Sequence, residues 1–105
     1  MNRDAVAHEV SPEDYRGMKS MPAGAYLFFS WYGESEIAGI THGCPCGCGI
    51  RTNLFLRGYG KGHDEWDVQG EWPKVTLHPS IGISRQSDGR WHWHGYLKNG
   101  VFVER

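Results

Sequence analysis

Apolar residues along the chain gather in short aromatic or β-branched runs separated by glycine-rich turns, a pattern that predicts strands. The run "AYLFFSWY", from Ala25, fits a largely buried strand closed by Gly33. "SEIAGIT" predicts a second strand. "IRTNLFLRG" predicts a third, in which Ile50, Asn53 and Phe55 break strict alternation. Short strands follow in "EWDVQG", "KVTL" and "PSIGIS", and "SDGR" reads as a hairpin turn. The last pair is the clearest: "WHWHGYL", a turn around Asn99-Gly100, then "VFVE".

The N-terminal part reads differently. Residues 1–10 are polar and are expected to fray. "SPEDYRGM" carries helix-start signals, with Ser11 as N-cap, Pro12 at the first helical position and Glu13 and Asp14 in the first turn. Gly17 limits that helix to one or two turns. "GYGKGHD" reads as an exposed, mobile loop and lacks the spacing of a phosphate cradle. The expected fold is therefore mostly β: a small antiparallel sheet, a sandwich or a partly open barrel, with a zinc knuckle and at most one short N-terminal helix. It forms a single domain, with a polar segment over 1–20 and a metal-binding β domain over 22–104.

Composition narrows the function classes. A chain of 105 residues is one small domain, and domains of this size bury a modest share of their surface, so a metal or covalent staple would help. Net charge is −1, which gives no general pull toward nucleic acid or anionic membrane. No apolar run approaches the roughly 20 residues of a membrane helix. "MNRDAVAHEVSPEDYRG" lacks the apolar centre of a signal peptide, so a cytoplasmic location is expected. Thiols stay reduced there, and clustered cysteines serve metal binding or catalysis more often than disulfides.

The candidate chemistry lies in "GCPCGCGI". Thiolates are strong zinc ligands, and structural sites take four Cys or His groups in a tetrahedron. On a strand, alternate side chains share a face about 6.5 to 7 Å apart, so Cys44 and Cys46 can converge on one ion. Cys48 would lie about 13 Å from Cys44 on a straight strand, and it joins only if the chain curls at Gly47 and Gly49. "WHWH" supplies His92 and His94, expected on one strand face with Trp91 and Trp93 on the other. Cys with His suits Zn2+ over magnesium or calcium, and the site is either Cys3His or Cys2His2. His42 is a reserve ligand, while His63 and His78 read as surface residues. Pro79-Ser80 reads as a turn into a strand, and Ser80 has no evident nucleophile neighbourhood.

The order "CPCGCG", "VTLHPSI", "HWHGYLKNG" resembles a family of small bacteriophage and bacterial proteins without assigned activity. Its members carry a CPCGCG knuckle, a TLxPS segment and a C-terminal histidine-containing hairpin, and the resemblance spans roughly Pro22 to Val103. It implies a metal-binding, mostly-β domain, with His94 the best match to the final histidine and His92 next. Some relatives carry a cysteine before that histidine, where this chain has Trp91. Some bacterial members accompany ubiquitin-like conjugation genes.

Three function classes follow. The first is a zinc-stabilised protein-interaction module with no catalytic residue, such as a phage accessory protein acting on a host or defence protein in the bacterial cytoplasm. The second is a zinc hydrolase with an open metal position. It lacks an HExxH arrangement, and Glu36, Asp64 and Glu65 are unplaced as bases. The third is a nucleic-acid-binding zinc knuckle, which near-neutral charge disfavours.

Overall fold

The computed structural model describes residues 3–84 and 91–105. Among the described residues there are ten strands and one helix, in the order β1 Ala5–Val6, β2 His8–Glu9, α1 Pro12–Arg16, β3 Ala25–Phe29, β4 Gly39–Gly43, β5 Arg51–Leu56, β6 Glu65–Gln69, β7 Thr76–His78, β8 Ile81–Ser84, β9 Trp91–Lys98 and β10 Val101–Glu104. One sheet has the order β1-β10-β9-β8, the other β2-β3-β4-β5-β6-β7. The mostly-β expectation holds. The "SDGR" turn falls outside the described residues.

Alternation explains how the sheets meet. In β8, Ile81 and Ile83 are buried while Gly82 and Ser84 are exposed. In β9, Trp93, Gly95 and Leu97 turn inward. They pack with Phe102 against Tyr26, Ile40, Leu54, Val75 and Leu77 of the other sheet and its margins, forming one core. Gly95 is required by close approach, because a Cβ there would meet the Val103 carbonyl oxygen at 2.0 Å. The β9–β10 turn places Asn99 and Gly100 at φ 48° and 82°, the left-handed pair that two-residue hairpins need.

Residues 5–6 and 8–9, expected to fray, are paired into strands. Ala5–Val6 pairs with β10 and His8–Glu9 with β3, so one extended segment stitches the two sheets together. The polar pattern concealed this because two-residue strands are held by main-chain bonds, such as Ala7 N–H to Gly100 O at 2.9 Å. The helix matches its signals: Ser11 Oγ accepts the Asp14 N–H at 3.0 Å, and Gly17 forms the C-cap. Among the described residues, no helix is long and apolar enough to cross a membrane.

Candidate functional site

Two groups of reactive side chains meet on β9. The first is the cysteine knuckle. β4 ends at Gly43, and the chain then turns back, with Gly47 N–H bonding Cys44 O at 3.0 Å and Cys44 N–H bonding Ile50 O at 2.8 Å. Gly47 and Gly49 take φ of 87° and 91°. That is the curl the spacing demanded. It brings one donor atom each from Cys44, Cys46, Cys48 and His92 within 4.8 Å of one another. A tetrahedron of zinc–sulfur length has edges of about 3.8 Å, so the group fits an ion of that kind. These four residues can hold a metal ion.

The electrostatics of the knuckle are graded. Burial pushes the Cys44 thiol well up. Burial acts the same way on Cys46, but hydrogen bonds from Cys44, Cys48 and His92 outweigh it and bring that thiol down. Cys44 Sγ lies 3.3 Å from Cys46 Sγ, which lies 2.9 Å from His92 Nε2. The thiols are all free. A cation placed among them would favour the thiolate form of each.

His94 belongs to a different group. The β8–β9 register runs Gly82↔His94 and Ile83↔Trp93 but then Ser84↔Trp91, so His92 is an extra residue in a bulge. The bulge gives the two histidines different partners. His92 faces Cys46, while His94 Nε2 lies 3.1 Å from Ser80 Oγ. His42, the reserve ligand, sits buried on β4 outside the cluster. Its Nδ1 lies 3.0 Å from Gly43 O, its ring stacks on Phe102, and burial holds its pKa down at about 4.

Ser80 therefore has a nucleophile's neighbourhood that adjacent residues did not disclose. It immediately precedes β8, and the antiparallel ladder brings His94 to it on the diagonal. The serine–imidazole pair opens into a cleft of about 600 Å³, with Arg57, His63, Glu65 and Trp66 among the residues opposite. Trp66 Nε1–H donates to Ser80 O at 3.3 Å.

The opposite wall is the "GYGKGHD" loop, which is exposed yet tied at several points. Trp31 Nε1–H donates to Tyr59 O at 2.6 Å, and His63 stacks on Phe55 with ring centroids 4.8 Å apart. Glu65 accepts the Gly60 N–H at 2.7 Å. The N–H groups of Gly60 and Gly58, assisted by Arg57, hold its carboxyl below the usual range against the opposing effect of burial. Arg57 in turn makes two bonds to Asp67, at 2.9 and 3.1 Å.

A family model described as bacterial ubiquitination-like system serine protease (BubE) matches residues 13–104. The chain belongs to this family. No curated protein and no solved structure matches the chain. The BubE match sharpens the resemblance drawn from the knuckle, TLxPS and hairpin motifs: it is a bacterial family whose description carries an activity. The TLxPS segment contains Ser80, so one of the motifs behind that resemblance already held the residue that composition and local spacing passed over.

Proposed function

We propose that this chain is a serine protease in which Ser80 is the nucleophile and His94 the general base. The observation that carries the reading is the 3.1 Å contact between His94 Nε2 and Ser80 Oγ at the edge of the cleft, in a chain of the BubE family. Imidazole can take and return a proton near neutral pH, and a serine hydroxyl becomes a useful nucleophile when such a base adjoins it. Ser80 Oγ adds to the scissile carbonyl as its proton passes to His94 Nε2. The tetrahedral adduct collapses to an ester on Ser80, the C–N bond breaks, and the leaving amine takes the proton from His94. Water then adds to the ester, with His94 again as base, releasing the acid and restoring the hydroxyl.

The metal belongs to the support of this pair. Four protein donors make a closed site, which leaves no open position for metal-bound water, and soft thiolate ligands with one imidazole favour zinc. Bound zinc would clip the 44–48 turn to His92, two residues from the base on the same strand. The partner of this chain is then a protein substrate, and the family description directs the search to a bacterial ubiquitination-like system. A purely structural interaction module shares the same metal site but assigns no work to Ser80.

An alkyl fluorophosphonate decides between them. Stoichiometric labelling of the full chain at Ser80, lost in Ser80→Ala and slowed at least 100-fold in His94→Gln, is the expected result. A chain that carries its metal, melts cooperatively and never labels would overturn the protease reading.

A further inference from the structure

The phase of the β-ladders identifies which main-chain groups of β8 face the cleft. In an antiparallel pair, residues alternate between those that exchange N–H···O bonds with the partner strand and those that do not. The β9–β10 hairpin closes with Lys98↔Val101 around its two-residue turn, and Arg105 N–H bonds His94 O at 2.8 Å. Lys98, Tyr96 and His94 thus direct their N–H and C=O toward β10. Gly95 and Trp93 direct theirs toward β8, where their partners are Ile81 and Ile83. Gly82, opposite His94, sits at a non-bonded position and turns both its N–H and its C=O away from β9.

β8 is the edge strand of its sheet among the described residues. The Ser80 carbonyl, two residues earlier and in the same phase, already meets Trp66 Nε1. Gly82 is exposed and lines the cleft, with its N–H and C=O directed away from β9. Edge-strand groups that face away from their sheet are a template for an extended chain. With no side chain, Gly82 also lets a backbone approach closely beside His94.

We propose that the substrate is an extended peptide segment that adds to the edge of β8 facing away from β9 as an antiparallel strand, exchanging two main-chain hydrogen bonds with Gly82. This rests on the protease reading above and deepens it. Antiparallel pairing puts the residue opposite Gly82 two positions before the residue level with Ser80, which makes no main-chain bond there because Trp66 Nε1–H already holds the Ser80 carbonyl. The segment on the acyl side of the cleaved bond therefore runs along β8 toward Ser84. Its third residue, counted back from the scissile carbonyl, pairs with Gly82. Recognition there is of backbone, so the substrate class is an unfolded tail or strand-forming linker, tolerant of side chain at that position.

Alanine-based peptidyl diphenylphosphonates of one to four residues, with the full-length chain, test this. Ser80 Oγ forms a bond to phosphorus, phenoxide departs, and the serine proton leaves with it by way of His94. Labelling is expected to accelerate roughly 10-fold between two and three residues, since two hydrogen bonds are gained. N-methylation of the third residue's amide nitrogen should remove most of that gain, while N-methylation of the second or fourth should cost under about 3-fold. A flat length series, or a flat N-methyl scan, on a chain whose Ser80 labels with alkyl fluorophosphonate would overturn the edge-strand proposal and leave the protease reading standing. Failure of every phosphorus reagent to label Ser80 overturns both.

Discussion

The cysteine knuckle and the Ser80–His94 pair share one strand and differ in nearly everything else. The knuckle takes three of its four candidate donors from neighbours in sequence and the fourth, His92, from β9, and it has a buried thiol in Cys44. The serine pair is built from residues 14 apart, joined by strand pairing, and one side of it opens to a cleft. A closed donor set can do little but hold the chain together, whereas an open pair can meet a substrate. His92 and His94 are separated only by Trp93, and the bulge at His92 gives each a different partner. The two regions should therefore fail in different ways.

The largest separation is expected from Ser80→Ala. It should lower peptidase turnover by about 10⁴-fold or more, with metal content unchanged and stability within roughly 1 kcal/mol. Matched measurements of phosphonate labelling, zinc stoichiometry and thermal melting check it. A loss of metal in this variant would mean that the two regions are not independent. The reverse experiment is Cys44→Ser, or chelation. Either should remove the metal and destabilise the fold by about 3 kcal/mol or more, a fall in Tm of at least roughly 12 °C, with labelling lost alongside. An apo chain that keeps its melting transition and still labels would break the supporting role given to the knuckle.

Trp93 tests the connection itself. It is fully buried, packs edge-on against Phe102 and donates from Nε1 to Arg3 O at 2.9 Å. Trp93→Phe keeps the apolar character but loses that hydrogen bond and some volume, at a cost of roughly 2 kcal/mol. Both readouts should weaken together, several-fold each, in metal affinity by competition with a chelator and in labelling rate. A change in one alone would show that β9 does not couple them.

The contrast also explains what sequence could disclose. Strands were legible from aromatic and β-branched runs, because side-chain burial writes its own period into the chain. The β1 and β2 pairings were not, since two-residue strands leave no period to read. Three thiols in five residues pointed to a group that could hold a metal ion, and the 13 Å estimate for a straight strand correctly demanded a curl at Cys48. The placing of the histidines was not legible. Alternation put His92 and His94 on one face, and only the register shift opposite Ser84 gives them separate partners. Ser80 was hidden for a related reason: its base is close only after β8 and β9 pair, and nothing adjacent to Pro79-Ser80 points to residue 94.

The smallest predicted effect concerns the wall facing Ser80, and it is pH-dependent. Glu65 is held below its ordinary value of 4.5 chiefly by the N–H groups of Gly60 and Gly58, with Arg57 adding to them and burial opposing. A carboxylate depressed in the folded state contributes stability that is complete above its unfolded value and is lost as pH falls through the folded one. The 58–64 loop should therefore loosen at pH below about 4.5, while the knuckle's main-chain bonds, which involve no carboxylate, should not follow that titration. Glu65→Gln reproduces the loss at neutral pH, because the amide keeps an acceptor oxygen but not the charge. Hydrogen exchange should then show the Gly60 amide several-fold less protected, with Cys44 and Gly47 unchanged. Labelling of Ser80 by alkyl fluorophosphonate should change less than labelling by the three-residue peptidyl phosphonate, which fills more of the cleft that His63 and Asp64 help line. Unchanged protection at Gly60 would mean that Trp31 on Tyr59 and the Phe55–His63 stack hold the loop without Glu65.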